Sequence, residues 1–95
     1  MNGQHPVPFD HRVRRRILRR LHEVDDTCSA SRLSTDLKLE LSEVLYHAQV
    51  LAKYGKIKEN RREFDRANAC FESTVAEDPE VIALLISTEA EDEGE

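Results

Sequence analysis

The chain contains no tryptophan, two tyrosines and three phenylalanines, so its core must be built mainly from aliphatic side chains. No apolar run reaches 18 residues, and no charged N-terminus leads into an apolar stretch with a small-residue cleavage site. A membrane span and a secretory signal are therefore not expected, and the cytoplasm is the expected location. Cysteine is scarce: Cys28 and Cys70 stand 42 positions apart, without the close pairing that zinc or redox motifs require, and read as reduced packing residues. There is no phosphate-cradling glycine loop, no nucleophile elbow and no His-Glu pairing on a helix, so no enzymatic activity is expected.

Positive charge is missing from the last third of the chain. Residues 67–95 hold nine acids and no Lys or Arg, residues 25–66 hold eight charges of each sign, and residues 1–24 hold six arginines against Asp10 and Glu23. The net charge of -5 thus hides a gradient, and the body of the domain is mildly basic without its end. At 95 residues the chain suits one core of a few helices and a hairpin. A domain this small gains stability by pairing with a second copy, so a homodimer is expected.

Periodicity divides the chain into an irregular arm over 1–9, a folded domain over 10–88 and an acidic disordered tail over 89–95. Asp10 is read as the N-cap of a first helix whose Val13, Ile17, Leu18, Leu21 and Val24 form an apolar stripe. Arg12, Arg15, Arg16, Arg19 and Arg20 occupy its other side, either as a solvated face or as a source of attraction for phosphate. Ser29 caps a short second helix carrying Ala30, Leu33 and Leu37. A third helix, LSEVLYHAQVLAK, places Leu41, Val44, Ala48 and Leu51 on its core side and Ser42, Tyr46, Gln49 and Lys53 opposite, with Gly55 as its stop. Residues 56–75 alternate as a two-stranded hairpin with a basic tip. Asp78 and Pro79 then open a last helix containing VIALLI, apolar nearly all round.

This order of helix, short helix, helix, basic hairpin and helix is that of a winged helix-turn-helix, an α+β fold that is mainly α. The segments RRRILRRLHE, SASRL and LELSEVLYHAQVLAKYGKI resemble the ArsR-like family of small transcriptional regulators from about Arg14 to Ile86. The resemblance implies a sequence-specific, dimeric DNA-binding regulator that inserts helix 41–54 into the major groove of double-stranded DNA. It places Ser42, Glu43, Tyr46, His47 and Gln49 at or near base edges, and Arg61, Arg62 and Arg66 on the wing. Lys53 joins this set from the helical wheel. Gln49 suits adenine, because its amide can pair with N6 and N7. Val81, Ile82, Leu85 and Ile86 are expected to form a symmetric dimer contact with the first helix.

Where the family has a hydroxyl residue opening helix three and another before its aromatic-His pair, this chain has Glu40 and Leu45. A carboxylate repels phosphate, and a leucine offers only an apolar contact such as a thymine methyl. An alternative reading follows, a winged-helix module that binds protein partners and has lost DNA binding. No metal or other cofactor is expected: His11 and His22 share a helix face but sit about 16 Å apart at helical rise, and His5, Cys28, His47 and Cys70 lack ligand spacing. A small-molecule effector would leave no motif.

Overall fold

The computed structural model describes residues 7–24, 27–60 and 69–93. A 3-10 turn over Val7–Phe9 leads into α1 (Arg12–Val24), followed by β1 (Cys28–Ser29), α2 (Ala30–Leu37) and α3 (Leu41–Lys53). Then come β2 (Ile57–Asn60), β3 (Cys70–Ser73), α4 (Pro79–Ser87) and α5 (Glu89–Glu93). The architecture is mainly helical with one small antiparallel sheet, as expected. Residues 61–68, which include the expected hairpin tip, lie outside the described residues.

The predicted apolar stripe of α1 is the centre of the molecule: Val13, Ile17, Leu18 and Leu21 are buried and meet Ala30, Leu33 and Leu37 of α2 and Val44, Ala48 and Leu51 of α3. Phe9, expected in an irregular arm, is also buried in this core. The cap of α1 differs from the expectation. His11, not Asp10, supplies it, its Nδ1 accepting from the Val13 amide at 3.1 Å. Ser29 caps α2 as predicted, its hydroxyl accepting from the Arg32 amide at 3.1 Å.

The same helix stop is used twice. At the end of α3 the amides of Gly55 and Lys56 return to the carbonyls of Ala52 and Leu51, at 3.0 and 2.9 Å, with Gly55 at φ 74°. At the end of α2 the amides of Lys38 and Leu39 return to Thr35 and Ser34, at 3.3 and 3.0 Å, with Lys38 at φ 59°. A left-handed lysine costs about 1–2 kcal/mol relative to an unstrained residue. This explains a turn between crossed helices that contains neither Gly nor Pro.

The sheet has the order β1-β3-β2, with Ile57 opposite Ser73, Asn60 opposite Cys70, and Cys28 opposite Phe71. It holds one strand more than expected, because the two-residue β1 pairs along β3. Cys28, Ile57 and Phe71 turn inward and attach the sheet to the helices. Asp78 caps α4, accepting from the amides of Glu80 and Val81, with Pro79 in its first turn as predicted. The expected disordered tail takes a different form: Glu89–Glu93 is a short helix whose Asp92 is only 3% exposed.

Candidate nucleic-acid interface

α3 is anchored more broadly than its wheel suggests. Leu45 and His47 are buried together with Val44, Ala48 and Leu51, so the inward arc is roughly 160° wide at 100° per residue. Leu45 therefore makes core contacts and is not available for a thymine methyl. His47, expected near the groove, is 6% exposed and packs against α1. Ser42, Glu43, Tyr46, Gln49 and Lys53 are exposed, Tyr46 at 60%. They form one continuous outward row. Tyr54, the C-cap of the helix, is also exposed. Arg61, Arg62 and Arg66 lie outside the described residues.

The inner edge of α3 is held by polar groups of α1. Arg14 Nη1 lies 3.2 Å from His47 Nδ1, and the His11 ring rests on the His47 ring with centroids 4.3 Å apart. Periodicity associates His11 with His22; the fold instead brings it to His47. Burial, reinforced by His11 and Arg14, pushes the His47 pKa down to about 4. His11 is also lowered, by burial and then by Arg14 and Arg15, with Glu43 opposing.

Arg12 is exposed, but Arg15, Arg16, Arg19 and Arg20 do not form a solvated face. Arg15 and Arg19 are buried and converge on Asp92: Arg15 donates from Nε and Nη2 at 2.8 and 2.7 Å, and Arg19 from Nη2 at 2.7 Å. Arg15 also donates to the Phe9 carbonyl, and Arg19 to the Leu85 carbonyl and the Thr88 hydroxyl. Burial alone would raise the Asp92 pKa, but the hydrogen bonds from the two guanidinium groups outweigh it and hold the carboxyl at about 2. Arg20 bridges Glu23 and Asp36, and Arg16 donates to the Leu37 carbonyl. Much of the positive charge counted in the first third is thus neutralised or tied within the fold.

On α4, Val81 and Leu85, expected at a dimer contact, are buried in the core of the chain itself. Ile82 is half-buried and Ile86 is 67% exposed. With His22 of α1 these two isoleucines line an open apolar cleft of about 210 Å³ between α1 and α4.

The arrangement matches a solved structure of ZitR from Lactococcus lactis, a double mutant in apo form, with a TM-score of 0.63 and 19% identity. The match covers 83% of this chain and 58% of that one, so the chain spans less than two thirds of the ZitR length. The fold is a winged helix-turn-helix. In its terms α2 and α3 are the helix-turn-helix and β2–β3 is the wing. No protein-family model matches the chain, and no curated protein matches it. No helix among the described residues is long and apolar enough to cross a membrane.

Proposed function

We propose that the protein is a DNA-binding transcriptional regulator that lays α3 in the major groove of a duplex. The observation that supports this most directly is the split character of α3. Its inner arc is fixed in the core, while Ser42, Gln49, Lys53 and Tyr46 project outward as an uninterrupted row of hydrogen-bonding side chains. Gln49 has the amide for adenine, Tyr46 and Ser42 have hydroxyls for phosphate, and Glu43 can accept from cytosine N4. Likeness in fold to ZitR, a transcriptional regulator, agrees with this reading. The ArsR-like family remains the resemblance that the sequence motifs carry.

In this proposal the attraction for phosphate comes from the wing, through Arg61, Arg62 and Arg66, and from Lys53. The regulator is a homodimer joined through Ile82 and Ile86, whose apolar surface is otherwise left to solvent. Light scattering at micromolar concentration reads the dimer directly. For the interface itself, fluorescence anisotropy of a duplex is followed against salt. Binding weakens steeply as salt rises, and Arg61→Ala with Arg62→Ala lowers the log-log slope by about 1.8 per protomer, or about 3.6 for the dimer. No binding to any duplex at low salt refutes the proposal.

A second reading, a winged-helix module for protein partners, is favoured by one observation. Arg15 and Arg19 of α1 are engaged inside the fold, Arg20 is paired with Glu23 and Asp36, and Glu40 and Glu43 are exposed at the entry of α3. On that reading α3 would meet a basic protein surface.

A further inference from the structure

Two histidines, one capping α1 and one on α3, share one arrangement that fixes their protonation. Arg14 lies 3.2 Å from His47 Nδ1, and a guanidinium can only donate, so this nitrogen must accept and the ring proton sits on Nε2. His11 follows the same rule, because the Val13 amide donates to its Nδ1. The two neutral rings lie against each other at 4.3 Å with planes 40° apart. The Tyr46 ring meets His47 edge-on, at 4.9 Å and 74°. Residues of α1 thereby reach, through one buried imidazole, the aromatic side chain at the centre of the exposed row of α3.

We infer that His11 and Arg14 are positioning residues that hold Tyr46 through His47, and that a proton on His11 Nδ1 releases this hold and lowers the selectivity of DNA reading. The inference rests on the DNA reading proposed above. A proton on that nitrogen turns the capping acceptor into a donor facing the Val13 amide. It also sets a cation at the N-terminus of α1, where the helix dipole is positive. Arg12, Arg14 and Arg15 of α1 oppose that charge, while Glu43 of α3 favours it and the neutral His47 ring lies beside it. Tyr46 is the remaining titratable side chain in ring contact with His47. The release therefore begins below the ordinary histidine range.

The full chain is tested in two ways. Without DNA, long-range proton-nitrogen spectra at pH 7.5 show both histidines with the proton on Nε2, and Tyr46 ring resonances shift in step with the titration of His11. A His47 carrying its proton on Nδ1, or Tyr46 resonances unmoved by that titration, overturns the inference. With DNA, the ratio of affinities for a duplex selected from a random pool and for a scrambled duplex is measured at pH 7.5 and at the pH where the spectra show His11 protonated. The ratio falls roughly tenfold in the native chain. In His11→Asn, whose amide oxygen keeps the cap without a titrating ring, it does not fall. Equal ratios at both pH values in the native chain, or an equal fall in the variant, overturn it. A chain that binds no duplex refutes the DNA reading alone, and the spectra then decide the positioning role.

Discussion

Asp92→Asn tests the internal anchoring of the C-terminal helix. In the native chain one carboxylate, 3% exposed, accepts three charge-assisted hydrogen bonds from Arg15 and Arg19 at 2.7–2.8 Å. The depression of its pKa from 3.8 to about 2 corresponds to about 2–3 kcal/mol favouring the ionised form. Asparagine retains an acceptor oxygen but removes the charge and turns an NH₂ donor toward the guanidinium pair. Two buried cations then lack their counter-charge, a change that costs about 3–5 kcal/mol when nothing relaxes. Undocking of α5 lets water reach Arg15 and Arg19 and limits the loss, so about 3 kcal/mol is expected. For a domain of this size that lowers Tm by roughly 12–24 °C. The assay is urea and thermal unfolding followed by circular dichroism, with exposed Glu91→Gln carrying the same change in charge. A loss below about 1 kcal/mol, or one equal to that of Glu91→Gln, refutes the anchoring. The linkage has a definite sign: the contribution of Asp92 is complete above pH 3.8 and is lost as pH falls toward about 2.

The helix stops give a paired prediction. Lys38→Gly relieves a left-handed lysine and stabilises by about 1 kcal/mol, whereas Gly55→Ala, with open space for its methyl, destabilises by about 1–2 kcal/mol through backbone strain alone. Urea midpoints read both, and shifts of the same sign contradict the assignment. His47 gives a pH dependence in a different window from Asp92. Its folded pKa is below the unfolded value, so its contribution of about 3–4 kcal/mol is complete above pH 6.5 and falls as pH drops toward about 4. Urea midpoints at pH 7.5, 6 and 4.5 trace that fall, which His47→Gln flattens; an equal fall in the variant would exclude His47 as its source.

The parts legible in the sequence are those set by local rules. The stripe of α1 follows from spacing alone, as do the Ser29 cap, the Asp78-Pro79 start and the Gly55 stop. The parts that were not legible depend on distant partners. Arg15 and Arg19 carry the mark of a solvated face until Asp92, 77 and 73 positions away, is brought against them. The same contact turns an acidic tail into a docked helix. β1 is two residues long and exists through pairing with β3, so no alternation announces it. For α3 the wheel located the centre of the inner arc but not its width. Leu45 and His47 lie on the flanks of that arc, and the packing of neighbouring elements buries them. The exposed row of α3 was legible as a row; the imidazole beside Tyr46 was not, because its partners come from the cap and first turn of α1.

The role of α3 is decided by titrating a selected duplex into the labelled chain while following backbone amide shifts. If α3 reads DNA, the shifts concentrate in Ser42 to Tyr54 and in the wing around Arg61, Arg62 and Arg66, and they fade as salt is raised. Shifts confined to α4 and α5, or no shifts at low salt, would contradict DNA reading by this helix.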